Sequence, residues 1–372
     1  MAVIGDAERM LEIQEVTDDA AFAALESDWR ALHEASDSDS VFLGFDWLRA
    51  WWTHLGSRGD QSLFVLVARE DDRVQAILPL MCVRERRRGL VRRTLRFLGT
   101  GISDRLGMLA RPAAQHAGEA FAAHLHAQAS KWDRLELVDL DHDAASSRQL
   151  AEALEKRGLC DGLRKTHPCP WIAIGSDWET FYQDRTSAKT RSNNRNKTRK
   201  LEKLGELRIR IVQAPSEVPD ALAKIFAMNE RDAYKGEARR RPFDDEAGRA
   251  FFRDVLAAMA TRGWLYLVLM EVDDQLIAYR INFRYRNAHF DYFVGFSPGH
   301  NRLSPGRLLA VEVMRDAFES GLERFDFLRG FEDWKREWTE QARDNAEIVG
   351  QGPSMRSRLQ ALLQSAGGTR GS

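Results

Sequence analysis

The chain has 372 residues, 44% of them hydrophobic and 30% charged, with a net charge of -1. That length suits two domains with sizeable cores, and the balanced charge removes any global field towards nucleic acid or membrane. Cys82, Cys160 and Cys169 show no metal-ligand spacing, which points to a reducing compartment without structural zinc. The N-terminus carries acids where a signal peptide needs positive charge, and no run approaches the roughly 20 apolar residues of a membrane span. The expectation is a cytoplasmic protein with no membrane span and no bound metal.

Residues 1 to 12 read as a lead-in and Ile13 to Val16 as a first strand. Thr17-Asp18-Asp19 caps a helix with Phe22, Leu25 and Trp29 at helical spacing. Phe42 to Trp52 is a second, aromatic helix whose rings pack a core. Leu63 to Ala68 and Val74 to Val83 are strands joined by a hairpin at Glu70-Asp71-Asp72-Arg73. A basic segment (Arg84 to Arg88, then Arg92, Arg93 and Arg96) leads to a strand from Leu95, a polar turn at Thr100 to Asp104, a helix from Ala113, a strand at Leu135 to Leu140 and a helix from Ser146. Leu163 to Ile174, interrupted by Pro168 and Pro170, is an extended crossing.

The pattern then restarts. A helix capped by Ser176-Asp177 runs into the basic SAKTRSNNRNKTRKLEKLGEL. Leu207 to Val212 is a strand, and helices follow from Ser216 to about Tyr234 and from Phe243 to near Gly263. Three apolar strands come next, joined by turns at Asp273-Asp274 and Arg286-Asn287. A Gly/Pro/Ser loop (Ser297 to Gly306) opens a helix ending at Gly321. A strand at Arg324 to Leu328, a polar segment dense in Trp and a last strand at Ala346 to Val349 complete the pattern, and the QSAGGTRGS tail has a disordered composition.

Two stretches pair across the halves. LFVLVAREDDRVQAILPLMCV (from Leu63) matches WLYLVLMEVDDQLIAYRINFR (from Trp264), and RLELVDLD (from Arg134) matches RFDFLRGF (from Arg324). Two such pairings in one order argue for tandem copies of one mixed α/β domain, bounded as 1–165 and 166–355 with a flexible 356–372 tail. A hairpin, a strand, a crossover helix and a further strand resemble the acyl-CoA N-acyltransferase (GNAT) frame. The basic RSNNRNKTRKLEKLG helix, the SPGRLL junction and FDFLRGFEDWKREW resemble the CelD-like acetyltransferases of cellulose and exopolysaccharide operons, relatives of the tandem-domain FemABX peptidyltransferases. The resemblance covers roughly residues 20 to 350. It implies two GNAT-like domains and acyl transfer from acetyl-CoA or another acyl-CoA.

In the second copy, Arg302, Ser304, Pro305, Gly306 and Arg307 form the donor-loop candidate. Ser304 is an N-cap, Pro305 takes the first helical position, Gly306 permits close approach, and the arginines supply charge for a pyrophosphate. Of the longer GNAT loop signature, only Arg302 and Gly306 fit. The matching Gly99 to Gly107 stretch lacks such a cap with flanking arginines, so no donor site is expected there.

Asp291, Asp326 and Glu332 are candidate bases for acyl transfer to an amine or hydroxyl. An aspartate between two phenylalanines is costly to bury unpaired, so Asp326 is expected to meet an arginine or cap backbone N–H groups. His289 shares a strand face with Asp291. Arg280, Arg329, Lys335 and Arg195 are candidate substrate contacts, and Trp334 and Trp338 read as packing.

The basic Arg185 to Lys203 stretch suits a phosphorylated acceptor or the donor's phosphates. Its alternative use is tRNA as an acyl carrier, because Fem-type relatives take aminoacyl groups from tRNA; no RNA-binding signature supports it. The expected protein is an acyltransferase acting on a sugar precursor or related small molecule, with the acceptor cleft shared by both domains. A Fem-like transferase and a non-catalytic scaffold of polysaccharide assembly are the alternatives.

Overall fold

In the computed structural model, residues 11–87, 90–232 and 243–357 are described. The chain divides into two compact units: residues up to His167 with the chain from Asp344 onwards, and Pro168–Arg343. The first unit holds β1 (Glu12–Val16), α1 (Asp19–Ala24), α2 (Glu26–Ala35), α3 (Phe45–Trp51), β2 (Gln61–Glu70), β3 (Arg73–Arg87), β4 (Leu90–Phe97), β5 (Leu109–Ala110), α4 (Ala117–Ala127), β6 (Arg134–Asp141) and α5 (Ala145–Lys156). After β7 (Arg164–Ala173), α6 (Trp178–Arg185) and α7 (Ala188–Glu202), the same succession recurs. It comprises β8 (Leu207–Val212), α8 (Val218–Arg231), α9 (Glu246–Thr261), β9 (Leu265–Val272), β10 (Gln275–Tyr285), β11 (Ala288–Phe296), α10 (Pro305–Glu319), β12 (Arg324–Asp326) and α11 (Asp333–Arg336), and β13 (Ala342–Gln351) ends it.

Each unit has a mixed sheet, β1-β2-β3-β4-β6-β13 in the first and β8-β9-β10-β11-β12-β7 in the second. Within each, the hairpins are antiparallel and the strand after the crossover helix is parallel to its neighbour. The matched Asp-Asp turns are alike: Asp71, Asp72, Asp273 and Asp274 all have φ between 47° and 63°. This is the left-handed pair that a two-residue hairpin turn requires. Each sheet closes on a strand from elsewhere in the chain, the first on β13 and the second on β7. The sequence pattern extends the second domain to residue 355; the part of β13 from Asp344 packs with the first unit instead.

Local chemistry explains several further departures. The helix expected to run unbroken from Ser176 stops at Arg185, because the Ser187 hydroxyl accepts from the Thr190 N–H and caps a separate helix, α7. Gly44 separates a one-turn Val41–Leu43 helix from α3. The basic segment is strand: β3 continues to Arg87, and Arg92 and Arg96 on β4 pair with Glu85 at 2.6 and 2.8 Å. Pro168 and Pro170 sit inside β7; two residues apart, both lack an N–H on the same edge, while the Pro170 carbonyl still accepts from Phe327. The Arg324 strand stops at Asp326, and Leu328 takes φ 56°, so Phe327 and Leu328 are both buried and the expected alternation to Arg329 is lost. Arg88, the end of the helix expected to reach Tyr234 and the terminal tail lie outside the described residues.

The second unit's core gathers Tyr266, Val268, Met270, Leu309, Val313, Met314 and Phe325 between sheet and helices. On one side Trp178, Phe181 and Tyr182 surround Trp338, which is 1% exposed, and Phe318 packs against Trp178 and Phe181. Packing at such a ring contributes roughly 1.5–3 kcal/mol from burial alone.

Candidate functional site

The second sheet splays at its parallel strands. β11 pairs with β12 only from Ala288 to Phe290, opposite Arg324 to Asp326, while against β10 it continues to Phe296. Beyond Phe290 the two parallel strands part. The gap leads to a cavity of about 230 Å³ lined by Arg280, Val294, Phe296, Asn301, Ser304, Pro305, Gly306, Arg307 and Trp334. Val294 and Phe296 are 38% and 40% exposed there, unusual for apolar side chains in mid-sheet.

The register sets the floor of this cavity. One extra residue in β11 shifts the β10 pairing between Ile281 and Asn282, so that Asn282 faces Asp291 while Arg280 faces Val294. The bulge brings Asp291 onto the face of Arg280, Val294 and Phe296, which strict alternation would deny it. Arg280 and Asp291 are 3% and 8% exposed, and one guanidinium nitrogen lies 2.5 Å from both carboxylate oxygens. The same guanidinium donates to the Gly306 carbonyl at 3.2 Å and sits 5.5 Å from the Trp334 ring centre. Arg280 therefore ties β11, the first turn of α10 and Trp334 together.

The donor-loop candidates converge on the same opening. Pro305 begins α10, and a Cβ on Gly306 would come within 3.1 Å of Phe296 Cδ1, so glycine lets the helix lie against β11. Ser304 stands at the N-cap position, but in the left-handed region (φ 51°, ψ 52°) and without a capping side-chain bond. Its hydroxyl accepts instead from Lys197 Nζ of α7 at 2.8 Å. Arg307 pairs with Glu337 at 2.5 Å, and Arg302 is exposed. The loop's start is held by Asp232, whose carboxyl is kept below the usual range by Arg231, with a further bond to Ser297.

Asp326 is fully buried; it accepts from the Leu328 N–H at 2.9 Å and pairs with Arg343 at 2.8 Å, meeting both expectations for it. Lys335 is 6% exposed and donates to the carbonyls of Phe327, Arg329 and Gly330 at 3.2, 2.9 and 3.1 Å. Those bonds hold the ammonium against the turn after β12 and fix it there, whereas a substrate contact is expected of Lys335 from the sequence. Glu332 is exposed and pairs with Lys335 at 3.0 Å. Arg329 is partly exposed at that turn, and Arg195 lies exposed on α7. Trp338 packs as expected, but Trp334 lines the cavity.

Beneath the splay lies a second polar group. His289 is fully buried, stacks on Phe325 at 4.6 Å and accepts from Arg284 at 3.3 Å. Burial, with Arg284 and Arg280 nearby, holds its pKa well below the ordinary value, so the ring is neutral. Arg284 also pairs with Asp316, and burial with the Asp316 bond pushes the Tyr266 hydroxyl above its usual range. Lys197 as a loop contact was not expected from the sequence, nor were Val294 and Phe296 as lining residues. Only the apolar side chains at two-residue spacing in HFDYFVGF carried a signal for them.

Residues 188–336, from the start of α7 to the end of α11, match the acetyltransferase (GNAT) domain family. The matched stretch lies within the second unit, which is thus similar to a GNAT acetyltransferase domain. No curated protein matches the chain. Among solved structures, FemX is similar at 11% identity and a TM-score of 0.57, over 94% of this chain and 99% of that one. The C-terminal domain of a putative lysylphosphatidylglycerol synthetase from Agrobacterium fabrum matches at 13% and 0.54, over 94% of this chain and 99% of its own. L-PGS from Bacillus licheniformis matches at 12% and 0.53, over 91% and 96%. The expected fold class, mixed α/β with tandem GNAT-like units, holds, and acyltransferase is the activity class that the domain supports. No helix among the described residues is long and apolar enough to cross a membrane, and no metal-holding cluster occurs among them.

Proposed function

We propose that the second unit transfers an acyl group from acyl-CoA to an amine or hydroxyl of a small acceptor, a sugar precursor by the CelD-like resemblance. One observation carries this reading: the splay after Phe290 opens onto a cavity ended by the N-terminus of α10, with Gly306 against Phe296. Helix N–H groups and Arg302 suit the donor's pyrophosphate. Backbone N–H groups of β11 beyond Phe290 suit the thioester oxygen as it gains charge. The acceptor's lone pair forms the new C–N or C–O bond, the C–S bond breaks, and CoA thiolate leaves. Asp291 and Asp326 are buried and committed to Arg280 and Arg343, whereas Glu332 is exposed beside Arg329 and Gly330; its carboxylate, on leaving its ion pair with Lys335, takes the proton-accepting role.

Calorimetry with acetyl-CoA, longer acyl-CoAs and free CoA tests the donor. Binding that is lost in Gly306→Val supports it, and no binding by the wild type overturns it. Glu332→Gln should lower kcat with KM unchanged. A second reading, aminoacyl transfer from tRNA, draws on the FemX and lysylphosphatidylglycerol synthetase likenesses and on the exposed cations of α7. Transfer to envelope or polysaccharide precursors would fit either reading.

A further inference from the structure

The basic helix α7 is packed as well as charged. Asn194 is 7% exposed and donates to the Tyr182 hydroxyl at 3.0 Å, and Leu201 is fully buried in the core. Their seven-residue spacing marks the helix's inward stripe, and Lys197 falls between them. Lys189, Arg195, Arg199, Lys200 and Lys203 are exposed, whereas Arg191 and Lys197 are half-buried, Arg191 being held by Thr186. A lysine on an inward stripe is costly unless its ammonium has a purpose. Here that ammonium reaches Ser304, the one residue of the loop-to-helix junction in a left-handed conformation, whose hydroxyl does not cap α10. A non-glycine residue held there stores about 1–2 kcal/mol of strain. A neutral hydroxyl is also a weak partner for an ammonium compared with a phosphate oxygen.

We propose that Lys197 is a binding residue for the donor's pyrophosphate, delivered to the mouth of α10 from a helix outside the loop, with Ser304 as its resting partner. This rests on the acyl-CoA reading above. On donor binding, the ammonium exchanges the Ser304 hydroxyl for a phosphate oxygen, and the Ser304 hydroxyl and the first-turn N–H groups complete the cradle. Lys197 so placed offsets the charge of the phosphates nearest the helix and leaves the 3′-phosphate of the nucleoside to other groups.

Calorimetry on the full chain with CoA and 3′-dephospho-CoA tests this in the wild type, Lys197→Gln, Lys197→Arg and the outward-facing control Lys200→Gln. A lost charge-assisted hydrogen bond predicts that Lys197→Gln weakens both ligands about tenfold or more. Lys197→Arg should recover most of the loss, and Lys200→Gln should match the wild type. In turnover the loss should fall on the donor KM, with kcat retained. Equal binding by wild type and Lys197→Gln overturns the assignment alone, as does a loss confined to the ligand carrying the 3′-phosphate. A wild type that binds neither ligand overturns the acyl-CoA reading and this assignment with it. Circular dichroism of each variant separates misfolding from lost contact, and recovery in Lys197→Arg would not follow from a merely structural role.

Discussion

The two units part company at the strand that precedes the crossover helix. In the second, β11 follows β10 for its whole length, from Ala288 opposite Tyr285 to Phe296 opposite Ala278, and a short loop turns directly into α10. In the first, β4 leaves β3 at Phe97 opposite Leu80, and β5 returns to cover Ala76 and Ile77. The chain between them is folded inward. Leu106 bridges to Leu140 of β6, Ser103 accepts from the Trp47 indole, and Asp104 and Arg105 are buried. The space that the second unit leaves beside its parallel strand is filled in the first by the protein's own backbone. A shared frame thus keeps a cavity in one unit and a filled space in the other through the path of one connection.

The largest effect should come from the pair beneath the open gap. Asp291→Leu leaves Arg280 buried without its counter-charge and should cost about 3–5 kcal/mol. Adding Arg280→Met should restore most of that stability but not donor binding, because the tie to Gly306 stays lost. Urea unfolding beside donor calorimetry separates the two. In the filled unit, Leu106→Ala should cost roughly 2–5 kcal/mol of stability and leave donor affinity unchanged. If it lowered donor affinity, the contrast between the units would fail.

Gly306→Val sharpens the contrast from the ligand's side. Even one Cβ there meets Phe296 at 3.1 Å, so the branched side chain should lift α10 from β11. Donor affinity should fall about tenfold or more, with some 1–3 kcal/mol of stability lost to overpacking.

Much of this frame was readable from residue types. The Asp-Asp turns, the Pro-Gly helix start and the buried Asp326 with its arginine follow from rules that act within a few residues or on one buried charge. The Arg280–Asp291 pair did not, because it depends on a bulge that moves Asp291 to the opposite face. Lys335 read as a substrate contact because a lysine in a charged run gives no sign that carbonyls will surround it. The placement of β13 was also hidden: the edge a strand joins is decided by tertiary pairing, which neither its own pattern nor its place in the chain records. Lys197 stood among like charges, and only the packed face of α7 singles it out.

A smaller effect is expected from pH. His289 is held neutral, so the folded state refuses a proton that the unfolded chain accepts below its ordinary pKa of 6.5. The stability contribution is complete above that pH and declines as pH falls, at up to about 1.4 kcal/mol per unit. Urea midpoints at pH 7.5 and 5.5 should show this slope in the wild type, and His289→Gln should lose it. Equal slopes in both would mean that the ring finds a partner for its charge.

The smallest effect under the acyl-CoA reading falls on the outward face of α7, where Arg195, Arg199, Lys200 and Lys203 are exposed. A compact donor whose pyrophosphate meets Lys197 and the α10 N-terminus has no need of these residues. Changing all four to glutamine should therefore move donor affinity by less than about twofold, as exposed charges do once screened by salt. A tRNA-borne donor predicts otherwise. Each phosphate contact releases counterions, so binding would weaken steeply with salt, and the slope of log affinity against log salt would fall by about one for each phosphate-contacting cation removed. The two readings thus separate on this face, where one expects four solvated charges and the other a footprint. A salt series on the wild type and the quadruple variant, with an aminoacyl-tRNA and acetyl-CoA as competing ligands, decides between them.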